Sequence, residues 1–123
     1  MRLHGICLIT VNVPALTDFY RAILHAESEG DETAVCLRLP NGGSLDICSA
    51  SGVESLAPGS TEGIGHGGFS LDIEVEDVDA EYERIREKVR VVKLPETYPW
   101  GRRSMWFRDP DGNLVNFFQT LSR

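Results

Sequence analysis

The sequence is short of positive charge, of cysteine and of long apolar runs, and each shortage closes off a class of protein. Twelve basic residues stand against nineteen acidic ones, a formal charge of -7. A surface of that sign repels a phosphate backbone and forgoes the counterion release that drives nucleic-acid binding, so nucleic acid is not an expected partner. The same field attracts a cationic small molecule. No apolar run approaches the roughly 18 residues of a membrane span, which removes the membrane as a partner. The three cysteines, Cys7, Cys36 and Cys48, are odd in number, lack C-x-x-C spacing and each lie in a strand-like run. They read as small buried hydrophobes in a reducing compartment. Met1-Arg2-Leu3-His4 leads straight toward a strand rather than a signal peptide, so the expected location is cytoplasmic.

What is present suits one ordinary domain. The 123 residues, 41% hydrophobic and 25% charged, match a soluble globular chain able to bury about two-thirds of its surface. Residues 3–13 are rich in Ile, Leu, Val and Thr and predict a buried strand, ended by Pro14 at the start of a helix. Leu16, Phe19, Tyr20, Ile23 and Leu24 then form one apolar helical stripe. Residues 34–39 and 44–48 predict two strands joined by Pro40-Asn41-Gly42-Gly43, whose Asn and Gly accept positive φ.

A Gly-, Ser- and Pro-rich stretch follows, and then the plan repeats. Phe69, Leu71, Ile73 and Val75 alternate with Ser70, Asp72, Glu74 and Glu76, the pattern of a strand with one face buried. Asp77 can cap a helix whose apolar stripe is Val78, Tyr82, Ile85 and Val89, with Asp79 and Glu81 at its start and basic residues at its end, as the helix dipole favours. Short strands are expected at 91–94, 103–108 and 113–119. Asp109-Pro110-Asp111-Gly112 forms a turn between the last two, since Pro presets φ at its second position. The expected organisation is a first module over 1–50, a connection over 51–66 and a second module over 67–123. One unit used twice predicts a pseudo-twofold axis and a site between the copies. The hairpins align at a shift of seventy, pairing Asp46 with Asn116. The first strands are ambiguous: a shift of 62 pairs His4 with His66, and a shift of 65 pairs Asn12 with Asp77.

Val13-Pro14-Ala15-Leu16 followed by Phe19-Tyr20, then residues 75–80, then Pro99-Trp100-Gly101-Arg102 running into Arg108-Asp109-Pro110-Asp111-Gly112-Asn113-Leu114, resemble the vicinal oxygen chelate superfamily of glyoxalases, extradiol dioxygenases and bleomycin-resistance proteins. The resemblance covers nearly the whole chain, and the Pro-Trp-Gly-Arg segment is most like the bleomycin-resistance branch. It implies an α+β fold of two βαβββ modules forming a curved mixed sheet with helices outside, and a homodimer.

Enzymes of that superfamily hold a divalent metal on the first and last strands of each module. The family's spacing lands these positions on Gly5, Asp46, Ser70 and Asn116, a donor set too poor for a catalytic metal, so no metal or other cofactor is expected. The opposing reading takes the shift of 62 and places a metal on His4, His66 and Asp46. Strand geometry counts against it, because His66 then lies four residues, about 13 Å, from the required position.

Gly63-Ile64-Gly65-His66-Gly67-Gly68 contains the spacing of a dinucleotide fingerprint but is followed by a strand rather than a helix, so it reads as a connection. His66 either lines a ligand cleft or is a solvated loop residue. Cys48 shares the alternation phase of Asp46; it is either structural or faces the cavity. Trp100 belongs at a rim, while Trp106 either packs in the core or offers a surface on which a flat or cationic ligand can stack. Arg102 and Arg103 either bind an anionic group or are solvated. The expected ligand-binding set is Asp46, Cys48, His66, Ser70, Asp72, Trp100, Arg103, Trp106 and Asn116, with no catalytic residue. The expected function is metal-free sequestration of an aromatic or cationic small molecule. The alternatives are a metal-dependent lyase, isomerase or dioxygenase using His4, His66 and Asp46, and a metal-free enzyme with His66 as general base.

Overall fold

The computed structural model describes residues 1–65 and 67–121. The order of elements is β1 (Cys7–Thr10), α1 (Val13–Leu24), β2 (Glu27–Gly30), β3 (Ala34–Arg38), β4 (Ser44–Ser49), α2 (Ala50–Leu56), β5 (Ser70–Glu74), α3 (Val78–Ile85), β6 (Arg90–Tyr98), β7 (Arg102–Arg108) and β8 (Leu114–Thr120). The chain divides into two compact units, Met1–His66 and Gly67–Arg123. Each carries a four-stranded mixed sheet and repeats the order strand, helix, three strands, which is the α+β architecture expected from the sequence. None of the described helices is long and apolar enough to cross a membrane.

In the first unit the sheet order is β1-β4-β3-β2, with β1 parallel to β4 and the other pairs antiparallel. Asn12 starts α1 by accepting the Ala15 amide hydrogen on its Oδ1 at 3.0 Å, and His25 ends it in the left-handed region at φ 53. Val13, Leu16, Tyr20, Ile23 and Leu24 are buried along the helix, Val35, Leu37, Leu45 and Ile47 are buried on the strands it covers, and Leu8 is buried on β1. This cap explains why the first strand is only Cys7–Thr10 rather than residues 3–13: the chain turns at Asn12, and residues 1–6 are exposed.

Two elements were not foreseen. Strand β2 has the sequence ESEG with all four residues exposed, so it carries no apolar alternation and is held by backbone pairing to β3. The stretch expected to be a bare connection opens with α2, capped by Ser49 Oγ accepting from Gly52 N at 3.0 Å. Its Glu54 carboxylate then anchors the following turns, accepting from Thr61 Oγ1 at 2.6 Å and from the Gly59 amide.

In the second unit the order is β5-β8-β7-β6, with β5 parallel to β8. Asp77 caps α3 by accepting from Ala80 N at 3.1 Å. Leu71, Val78, Ile85, Met105, Phe107, Val115 and Phe117 make the core, with Phe107 and Phe117 edge to face at 5.0 Å. The Asp109 turn is closed by Gly112 N donating to Asp109 O at 2.9 Å, and the buried Asp109 carboxylate also accepts from the Asp111 and Asn113 amides, both at 2.9 Å. Strand β6 runs for nine residues instead of the four expected. It lies at the sheet edge, and two register shifts, between Val91 and Lys93 and between Lys93 and Glu96, break the alternation that would have marked it.

Candidate functional site

Each sheet has one face under its helix and one face away from it, and the candidate residues fall mostly on the latter. On β4, Leu45 and Ile47 are buried, so Asp46 and Cys48 point the other way. Register places Asp46 between Cys7 of β1 and Cys36 of β3. Cys7 Sγ donates to Cys48 Sγ at 2.9 Å. Partial desolvation, the Cys48 hydrogen bond and electrostatic repulsion from Cys48 and Asp46, in that order, push the Cys7 thiol up to about 12. The Cys36 thiol is also raised, by burial first and then by its hydrogen bond with Asp46 and the carboxylate's charge. The cysteines are therefore not the buried hydrophobes that the sequence suggested. Cys7 is exposed and Cys36 and Cys48 are half-buried, because each alternates with the residues that do face α1.

In the second unit β8 holds Asn116 between Asp72 of β5 and Trp106 of β7. Asn116 Nδ2 donates to Asp72 Oδ1 at 3.2 Å, and Ser70 Oγ donates to the same oxygen at 2.9 Å. Asn116 is only 5% exposed, yet its Oδ1 has no hydrogen-bond partner among the described residues. Beside it Trp106 is half-buried. The next row of the same face sets Phe118 between Glu74 and Ser104, with the Arg102 guanidinium 4.1 Å above the Phe118 ring. Thr120 Oγ1 donates to Glu74 Oε2 at 3.1 Å. At the β6–β7 turn Trp100, 66% exposed, stacks on Tyr98 at 4.8 Å with planes 10° apart.

The structure thus brings Ser70, Asp72, Trp106 and Asn116 together on one sheet face, and Asp46 and Cys48 together on the other unit's sheet. It sets Arg103 apart. One residue out of phase with Arg102, Arg103 turns to the helix side, where Nε and Nη2 donate to Asp79 at 2.8 and 2.9 Å and Nη1 to Thr97 at 3.0 Å. That bidentate pair fastens the start of α3 to β7, and the guanidinium holds the Asp79 carboxyl below its ordinary range. His66 lies outside the described residues. Phe118 and Ser104 belong to the site face and went unnoticed in the sequence. The period-two phase running forward from Asn116 gives Phe118, and the same phase back from Trp106 gives Ser104.

The register also decides the ambiguous alignment. Cys7 opposes Asp46 as Asp72 opposes Asn116, so the first strands correspond at a shift of 65, and the family's metal positions fall on Gly5, Ser70, Asp46 and Asn116. Gly5 has no side chain, and the Ser70 hydroxyl and Asn116 amide both donate to Asp72. Such a set offers a single carboxylate and no imidazole, which does not fit a catalytic divalent metal. His4 is exposed ahead of β1, and among the described residues no three His, Cys, Asp or Glu side chains are grouped to hold an ion.

A family model for the Glyoxalase/Bleomycin resistance protein/Dioxygenase superfamily matches residues 2–117. The chain belongs to that superfamily. It is 39% identical over 64 residues to the uncharacterized protein YraH of Bacillus subtilis (strain 168), a match covering 50% of each chain, so it spans about half the length of this curated relative. In fold it is similar to a glyoxalase/bleomycin resistance protein/dioxygenase from Nocardioides, with a TM-score of 0.81 at 22% identity over 99% of this chain and 85% of that one. A glyoxalase/bleomycin resistance protein/dioxygenase family enzyme from Burkholderia phytofirmans PsJN superposes with a TM-score of 0.83 at 14% identity over 95% and 98% of the two chains.

Proposed function

We propose that this chain is a metal-free binding protein that sequesters a small aromatic or cationic molecule, in the manner of the bleomycin-resistance branch, as a cytoplasmic homodimer. The observation that carries this reading is Asn116. A buried amide oxygen left without a donor costs about 1–3 kcal/mol, and here it sits beside the Asp72 carboxylate and the Trp106 ring. A ligand bearing N–H groups on a flat cationic frame supplies the missing donor to Asn116, a charge partner to Asp72 and a π-face to Trp106. Sequestration needs no more than this.

The test is a thermal-shift and calorimetric comparison of a planar acridinium cation, a cationic glycopeptide antibiotic and an aromatic carboxylate, each with and without EDTA. The cations are expected to raise the melting temperature equally in chelator, and Trp106→Ala to weaken them. Binding that vanishes in EDTA and returns with zinc, nickel or manganese would replace this reading with a metal-dependent one.

A further inference from the structure

Cys7 and Cys48 are diagonal neighbours on adjacent strands: Cys7 opposes Asp46, and Cys48 lies two residues farther along β4. Their sulfurs are 2.9 Å apart, with Cys7 as the donor. Closing to an S–S bond of ~2.05 Å requires less than about 1 Å of further approach. Strand β1 has four residues and is the edge of its sheet, so it can yield to that approach more readily than β4, which is paired on both sides. Both sulfurs are within reach of solvent, Cys7 being exposed and Cys48 half-buried. The third cysteine is placed differently. Cys36 is on β3, across β4 from Cys7, with Asp46 as its register partner between them.

We propose that Cys7 and Cys48 are a modification site at which a hydroperoxide forms an intramolecular disulfide, with Cys48 as the sulfur attacked first and Cys7 as the one that resolves it. The donor role of Cys7 sets this order. Cys7 commits its S–H to Cys48, and partial desolvation together with repulsion from Cys48 and Asp46 holds that proton in place, which leaves Cys48 as the sulfur free to react first. The Cys48 thiolate attacks one peroxide oxygen, the O–O bond breaks, and the second oxygen leaves as water or alcohol, giving Cys48 sulfenic acid. The Cys7 sulfur then attacks the sulfenic sulfur and expels its oxygen as water. Two thiols are oxidised, one peroxide bond is reduced, and both thiol protons end in the released oxygens. The product ties β1 to β4 immediately beside Asp46.

Trypsin cuts after Arg2, Arg21, Arg38 and Arg84, which places the three cysteines on three different peptides. The full chain is treated with hydrogen peroxide, its free thiols are counted under denaturing conditions, and non-reducing digests are read by mass spectrometry. The expected result is loss of two of the three thiols, a linked pair of peptides containing Cys7 and Cys48, and a monomer lighter by two hydrogen atoms. Cys36→Ser should leave the link intact. Cys7→Ser should abolish it and leave Cys48 trapped by dimedone as the sulfenic acid. Links through Cys36, links only between chains, or overoxidation of Cys48 with Cys7 intact would each overturn the proposal.

Discussion

Asn12 and Asp77 hold the same position in the two units: each caps a helix by accepting a hydrogen bond from the amide three residues on, at 3.0 Å from Ala15 and 3.1 Å from Ala80. In each unit the residue five before the cap faces the equivalent position of the unit's last strand, Cys7 opposing Asp46 and Asp72 opposing Asn116. Asn12→Ala and Asp77→Ala should each destabilise the chain by about 0.5–2 kcal/mol. Urea unfolding reads this directly. The charged cap also benefits from the helix dipole, so Asp77→Asn should show a small loss that salt reduces.

Gly30, at the end of β2, has φ +135, and a Cβ there would lie 2.1 Å from the Ala34 carbonyl oxygen and 2.9 Å from Val35 Cα. Both are backbone atoms, so neither can swing aside. Gly30→Ala should cost more than ~2 kcal/mol or detach β2 from β3. Gly112, with φ +86 and open space around it, meets only the conformational penalty, and Gly112→Ala should cost roughly 1–2 kcal/mol. Denaturant melts of the two variants side by side separate the clash from the φ effect.

The pair formed by Asp79 and Arg103 makes an acid-sensitive contribution. Its carboxyl is held below the ordinary value by the guanidinium, so the stabilisation is present above that value and disappears as pH falls through the lowered one. The side chains are 58% and 28% exposed, which limits the pair to under about 1 kcal/mol. Asp79→Asn should lower stability slightly near neutrality and match the parent chain in strong acid. Chemical unfolding at the two extremes tests the sign.

Asn116→Leu should separate binding from folding. Removing an unsatisfied buried oxygen relieves a penalty, and the Asp72 carboxylate that loses the amide's hydrogen bond is exposed and can turn to water. Melting temperature should therefore change little, while affinity for an acridinium cation falls about tenfold, the worth of one hydrogen bond to a buried acceptor. Calorimetry and thermal melts on the same preparation decide it.

Local pattern carried most of the fold. The stripe from Leu16 to Leu24 and the alternation from Phe69 to Val75 are periodic because helix and strand bury one side, and both elements form where they were expected. Where burial is absent the signal goes with it: β2 has no buried residue, and α2 has none either. At the candidate site the alternation correctly joined Asp46 to Cys48 and Ser70 to Asp72. Arg103 entered the expected set on its chemistry rather than its phase: Arg102, one residue before it, and Trp106, three after it, lie on the opposite side of β7. Pairing of Cys7 with Cys48 was invisible, since it depends on a parallel register between strands nearly forty residues apart.

The irregularity of β6 has a protective effect. Val92 and Leu94 are 51% and 59% exposed on a strand that, among the described residues, pairs with β7 alone. A straight, greasy border of that kind is a template on which foreign chains stack into fibrils. Two slips in pairing, a proline that cannot donate and the charges of Lys93 and Glu96 spoil the template, so the chain keeps its apolar rim without offering a continuous ladder to strangers.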